Sequence, residues 1–238
     1  MKHTVAYLKL ALRRMADPAF RTTQQSFSRE PIRSLGVRTP DIRRLAVAAA
    51  REYRRARIPL PEIWRVAEKL WKQPNIEERA LAIFILASFR SVLTAADFAR
   101  LDRWIDSISN WAETDGLSID LLGPLLGRHP ALIMQLPAWT RSRNRWRRRA
   151  AAVALVPLAR YGYHIDTAFA ICDRLADDPD DLIEKAIGWL LKEASRTQPR
   201  LVVDYLLQNR PCLSRTTLRY ACEKLPEKLR RRILTPDS

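Results

Sequence analysis

The stretch Asp178-Pro179-Asp180-Asp181-Leu182-Ile183-Glu184-Lys185-Ala186-Ile187-Gly188-Trp189-Leu190 decides the fold. Its apolar residues, Leu182, Ile183, Ala186, Trp189 and Leu190, recur at the three-and-four spacing of one helical face. An aspartate followed by proline opens it, and those types suit an N-cap and the first helical turn. The same grammar recurs along the chain. Polar cap types at Thr39 (before Pro40), Asn75, Asn110, Asn144, Asp178 and Ser214 are separated by 36, 35, 34, 34 and 36 residues. Each interval has room for two helices and two short turns. Second-helix starts are expected near Leu60-Pro61, Thr94 with Asp97 as a capping box, Pro130, His164 or Asp166, and Gln198-Pro199. A period in this range belongs to helical-pair solenoids. The alternative, an irregular helical bundle, would have to place its caps evenly from Thr39 to Ser214 by chance, although the sequences between them are dissimilar.

The expected fold is therefore all-α, an α-solenoid forming one domain over residues 1–238. Residues 1–38 are expected to be an N-terminal helical cap, 39–213 the repeats, and 214–238 a partial, basic last repeat with a tail. Six glycines and little β-branched alternation leave no case for strands.

With 238 residues and 47% hydrophobic content, the chain can bury a substantial core. Forty-two Lys and Arg against 26 Asp and Glu give a formal charge of +16, which favours a polyanionic partner, nucleic acid before an acidic membrane surface. Apolar runs such as residues 81–89 and 150–159 are shorter than the ~20 residues needed to cross a bilayer. The opening segment, residues 1–18, reads as an amphipathic helix without a small-residue cleavage site, so a cytoplasmic protein is expected. Cys172, Cys212 and Cys222 lack CxxC spacing, and His3, His129 and His164 lack HExxH spacing. No disulfide framework, metal site or histidine-based triad is expected.

Positions about five residues beyond each cap fall on equivalent parts of successive first helices. They are Arg44, Ala80, Asp115 and Arg149, with Arg79 supplementing the row. A mostly basic stripe enclosing one carboxylate is expected on the concave face of a curved solenoid, where it can follow a phosphate backbone. Arg145, Arg148 and Arg149 share a helical face and Arg147 points elsewhere. Such a run is either a solvated charged face or a phosphate-binding surface. Trp64, Trp71, Trp104, Trp139 and Trp146 lie among aliphatic residues and read as packing. Trp111 follows Asn110 beside polar residues, four before Asp115, so ring and carboxylate can share a face. Trp189 fits either core or site. Asp115 is open to two readings, a surface or capping carboxylate or a stabiliser of positive charge, and Glu113 is expected to face solvent.

Four segments carry a resemblance: Leu35-Gly36-Val37-Arg38-Thr39-Pro40 with Arg43 following, Asn110 to Leu117, Asn144-Arg145-Trp146 leading to Arg149-Ala150-Ala151, and Ile183 to Glu193. In this order and spacing the chain resembles the AlkD-type DNA alkylation repair glycosylases, built from HEAT-like helical repeats, from residue 27 to residue 200. The resemblance implies that Asp115 is the catalytic carboxylate, Trp111 and Trp189 the active-site indoles, and Arg149 a contact to the DNA backbone near the lesion. Arg44, Arg79, Arg145, Arg148 and Lys185 complete the expected DNA-binding set. Phe27 falls where relatives carry a tyrosine beside the lesioned nucleotide, and Asn110 and Ala112 replace a tryptophan and an acidic residue of the family pattern. These departures bear on the range of lesions rather than on the reaction.

The activity so implied is hydrolysis of the N-glycosidic bond of cationic N3- and N7-alkylpurines in duplex DNA, within base excision repair. It is expected to be monofunctional, metal-independent and free of cofactors, in a monomer with no membrane partner. The family is implied to leave its lesion largely stacked and to work on the deoxyribose. Two rival readings are a catalytically inert nucleic-acid-binding solenoid, which leaves Trp111, Asp115 and Trp189 without a shared purpose, and a protein scaffold, for which the charge is an odd surface.

Overall fold

The structure, a computed structural model, describes residues 4–26 and 31–235. The α-helices are α1 (Val5–Arg14), α2 (Pro18–Ser26), α3 (Thr39–Arg55), α4 (Leu60–Trp71), α5 (Ile76–Ala87), α6 (Phe98–Ile105), α7 (Trp111–Leu117), α8 (Gly123–Arg128), α9 (Leu136–Trp139), α10 (Arg145–Val153), α11 (Val156–Ala159), α12 (Ile165–Leu175), α13 (Asp181–Ala194), α14 (Pro199–Gln208), α15 (Arg215–Ala221) and α16 (Glu227–Leu234). Short 3₁₀ turns join several of them, and there is no strand among the described residues. The all-α solenoid expectation holds. The first helix of each pair packs on the first helix of the next, α3 on α5, α5 on α7, α7 on α10, α10 on α13 and α13 on α15. One row of helices thus runs the length of the repeats, and the second helices of the pairs pack behind it.

Asn75, Asn110, Asn144 and Ser214 stand at N-caps as expected. Asn110 Oδ1 accepts from the Glu113 amide at 3.0 Å and Asn144 Oδ1 from the Trp146 amide at 2.9 Å. Such caps satisfy amides that the helix leaves free, each contributing about 1 kcal/mol. Two marks move. Arg38, not Thr39, is the N-cap of α3, because Thr39 and Pro40 already lie in the helix. Asp180, not Asp178, caps α13, since Asp178 Oδ1 accepts from the Asp180 amide in a turn that precedes the helix. Thr94 and Asp97 do form a capping box, over a 3₁₀ turn that leads into α6.

The middle first helix is not regular. Between α7 and α8 the chain makes a π-turn over Ser118–Leu122, so residues 111–128 run as one helical rod with its phase changed halfway. Glycine admits the closest helix approaches. A Cβ at Gly188 would stand 2.4 Å from Tyr220 Cβ and 2.9 Å from the Thr217 carbonyl oxygen, so α13 and α15 touch nearly backbone to backbone.

The tryptophans read as packing are buried. Trp71 stacks on Trp104 with ring centroids 4.4 Å apart and Trp64 meets Trp104 edge-on at 5.7 Å, while Trp139 stacks on Phe98. The loop Ser34 to Val37 wraps a buried carboxylate. Glu77 of α5 accepts from the amides of Leu35, Gly36 and Val37 at 3.0, 2.9 and 3.2 Å. Gly36 sits at φ +80°, and a Cβ there would come within 2.0 Å of the Asp17 carbonyl oxygen. This segment of the resemblance is therefore architectural. It anchors the start of α3 to α5 and to the turn before α2.

Candidate active site

Asp115 lies on α7 facing α10. Arg149 of α10 reaches across to hold both of its oxygens, Nε to Oδ1 at 2.8 Å and Nη2 to Oδ2 at 2.9 Å. Arg149 Nη1 donates to the Leu182 carbonyl at the start of α13, so one guanidinium joins three consecutive first helices. The side chains are 18% and 7% exposed, respectively. Burial raises the Asp115 carboxyl above the ordinary carboxylate range, and the hydrogen bond and charge of Arg149 pull the other way without cancelling that rise. The result is a carboxylate with fixed orientation, sheltered from solvent yet reachable from one side.

Trp111 is the first residue of α7, one turn before Asp115 on the same face. It is 38% exposed and is the one tryptophan among the exposed large hydrophobic residues of the described chain. Trp189 lies on α13, partly buried against the core. Leu182, Lys185 and Trp189 form a stripe on α13 at helical spacing, beginning at the carbonyl that Arg149 grips. Lys185 pairs with Asp181 at 2.9 Å and is about a third exposed.

The arginines expected to bind DNA all have partners within the protein. Arg145 holds Asp180 through Nε at 2.6 Å and Nη2 at 2.8 Å. Arg148 holds Asp178 through Nε at 2.6 Å and also donates to the Ser142 and Arg143 carbonyls. Arg79 reaches Glu113 at 2.9 Å, the Ser107 carbonyl at 2.7 Å and the Gln73 carbonyl at 3.1 Å. Each pairing spans one repeat, so these side chains staple neighbouring repeats together. Arg147 points away from this face, to Asp102 and Asp106. Arg44 leaves the row. With Arg38 as the cap, the fifth residue onward is Arg43, and Arg44 pairs with Asp41 one turn back in its own helix. Phe27 lies outside the described residues.

Glu113 corrects its expectation. It is buried, not solvated, because its Oε2 accepts from Arg79 and from the Ser109 amide at 3.0 Å, tying the start of α7 to α5.

A second arginine–aspartate fork was not anticipated. Arg43 of α3 grips Asp120 through Nη1 at 3.3 Å and Nη2 at 3.0 Å while its guanidinium lies 3.9 Å from the centre of the Phe84 ring. These residues edge a cleft of about 220 Å³ that also touches Glu113 and Gly116. Asp120 stands on the π-turn, which rotates it away from the position that a regular helix would give it. Among the described residues, no group of three His, Cys, Asp or Glu side chains is placed to hold a metal ion. No helix of the described chain is long and apolar enough to cross a membrane.

Comparison with known proteins agrees with this architecture. A predicted DNA alkylation repair enzyme from Enterococcus faecalis superposes with a TM-score of 0.78 at 17% identity, covering 90% of this chain and 98% of that one. AlkD2 from Streptococcus mutans gives 0.62 at 16% identity, covering 91% and 98%. The protein smu.31 from Streptococcus mutans UA159 gives 0.56 at 15% identity, covering 78% and 100%. At these identities the likeness is one of fold. No curated protein matches the chain by sequence. The match to the DNA alkylation repair enzyme family extends over residues 8–225, and the chain belongs to that family.

Proposed function

We propose that this protein is a DNA glycosylase that hydrolyses the N-glycosidic bond of cationic N3- and N7-alkylpurines in duplex DNA. The observation that carries the reading is the Asp115 fork, a sheltered carboxylate held at both oxygens by a buried arginine, one helical turn from an exposed indole. A carboxylate offers about four acceptor positions, so two remain after the fork for a water and for the developing charge of a sugar. Such preorganised electrostatics typically contribute ~3–4 kcal/mol to a transition state.

The chemistry asks little else of the protein. Alkylation leaves the purine positively charged, so the C1'–N bond breaks with its electron pair returning to the base, which departs neutral without needing a strong general acid. The sugar becomes cationic at C1'. Asp115 stabilises that charge and orients a water, whose oxygen bonds C1' and whose proton passes to Asp115 or to solvent. Trp111 presents a ring face to the cation, an attraction of ~0.5–2 kcal/mol. Trp189 is assigned the second ring, and Lys185, on the same stripe of α13, a phosphate contact. Arg149 acts first as a positioning residue for Asp115. It, Arg145 and Arg148 reach phosphate only through N–H groups that their carboxylate partners leave unused. The residues named require no metal, and Lys185, the one amine among them, is paired with Asp181 and assigned to phosphate rather than to C1', so strand cleavage coupled to base release is not expected.

The test is incubation of the purified protein with methylated duplex DNA. Release of free 7-methylguanine or 3-methyladenine with an abasic site left in an unbroken strand supports the reading. Binding without release would leave an inert nucleic-acid-binding solenoid.

A further inference from the structure

The ion pairs of the first-helix row raise a question of where DNA phosphates are held, since Arg79, Arg145, Arg148 and Arg149 are already engaged. The observed caps define a register that answers it. Five residues beyond each N-cap stand Arg43, Ala80, Asp115, Arg149, Lys185 and Arg219. Contacts at two separate steps of the row fix this register. Thr217, three residues past its cap, donates through Oγ1 to the carbonyl of Glu184, four past its cap, at 3.0 Å. The same relation joins Glu113 of α7 to Arg79 of α5. Gly188 then lets α15 close onto α13 at Thr217 and Tyr220, so α15 is a rigid member of the row.

Accessibility changes along the row. Asp115 and Arg149 are sheltered, Lys185 is partly open, and Arg219 is exposed, as is Arg215 one turn earlier on the same helical face. Neither Arg215 nor Arg219 is held by a carboxylate among the described residues. Elsewhere in the row the cations are balanced by the protein's own acids, and here two guanidiniums stand in line with the site without a carboxylate partner among the described residues. Arginine's planar fork suits a phosphate oxygen pair.

We infer that Arg215 and Arg219 of α15 form a remote phosphate clamp that grips the DNA backbone on one flank of the lesion, in line with the Asp115 site. This rests on the reading that the protein works on duplex DNA. Three helix-to-helix steps of ~8–10 Å separate Arg219 from Asp115, which places the clamp roughly seven to nine base pairs from the lesion at ~3.4 Å per pair.

The experiment compares wild type with the Arg215→Gln/Arg219→Gln double variant on duplexes carrying one lesion with either flank shortened, over a range of salt. Loss of two phosphate contacts should lower the slope of log affinity against log salt by roughly 1.8. Wild type should lose affinity when one particular flank is cut below roughly seven pairs, and the double variant should not respond to that cut. Arg215→Lys/Arg219→Lys should keep most of the slope. Arg231→Gln, which removes an exposed cation of α16 paired with Glu227, should leave the slope unchanged. An unaltered slope and flank dependence in the double variant, or an equal fall in Arg231→Gln, overturns the clamp. Base release at saturating protein separates this from the proposed activity. A slope that falls in a protein that releases no base leaves the clamp standing and the glycosylase reading refuted. Normal release with no change in slope refutes the clamp alone.

Discussion

Replacing Arg149 by methionine removes the guanidinium while keeping most of the side-chain volume. Two hydrogen bonds to Asp115, at 2.8 and 2.9 Å, disappear together with the donor to the Leu182 carbonyl. Breaking a buried ion pair by removing one partner costs about 3–5 kcal/mol, most of it the penalty of the charge left behind. Asp115 keeps 18% exposure, so solvent recovers part of that, whereas the orphaned carbonyl adds ~1 kcal/mol. The net expectation is a loss of roughly 3 kcal/mol. Adding Asp115→Leu to the same chain removes the stranded carboxylate and should recover most of this loss, because exchanging both members of a buried pair for apolar groups is nearly neutral. Asp115→Leu alone strands the guanidinium and should be destabilised like Arg149→Met. Denaturant titration followed by tryptophan fluorescence gives the four stabilities of the cycle. Additive losses in the double variant would refute the claim that Arg149 exists to hold Asp115, and would return it to the role of a free phosphate contact.

Because burial raises the Asp115 carboxyl, the ionised form needed for catalysis is lost as pH falls through a value above the ordinary carboxylate range, so the acid limb of single-turnover excision should lie above pH ~4. The protonated carboxyl is correspondingly favoured in the fold as pH falls, opposite in sign to a salt bridge that depresses its acid. A limb at or below the ordinary range would contradict the sheltered site. Gly36→Ala forces a Cβ against the Asp17 carbonyl at a positive φ and should cost at least ~2 kcal/mol, read as a fall in unfolding midpoint. Excision should persist in EDTA, and loss of activity restored by a divalent ion would mean that a metal takes part.

The repeat was legible because capping chemistry is local. Asn110, Asn144 and Ser214 each satisfy a helix amide with their own side chains, and Asn75 holds the same cap position with its side chain donating to Glu78, so their spacing survives in the sequence. At Thr39 and Asp178 the local signal misleads by one or two residues, since Pro40 fits a helix position other than the one assumed and Asp178 serves a turn. That single-residue shift moved the row from Arg43 to Arg44. The juxtaposition of Trp111, Asp115 and Arg149 was readable from register. Their partners across repeats were not, because a basic run looks unpaired when its acids lie about a repeat away, as Asp178 and Asp180 do from Arg148 and Arg145. Glu113 was misplaced because helix geometry alone does not reveal that Arg79 waits on α5. Asp120 was missed because a π-turn breaks the period on which every face assignment depends.

The central claim is that Asp115 stabilises the cationic transition state. It is tested most directly by the single-turnover rate constant for 7-methylguanine release, measured with saturating protein for wild type and Asp115→Asn. The amide keeps the shape and leaves a neutral partner for Arg149, so duplex affinity should be equal or slightly higher while the rate falls by about a hundredfold or more. An unchanged rate in a variant that binds DNA normally would remove Asp115 from the chemistry.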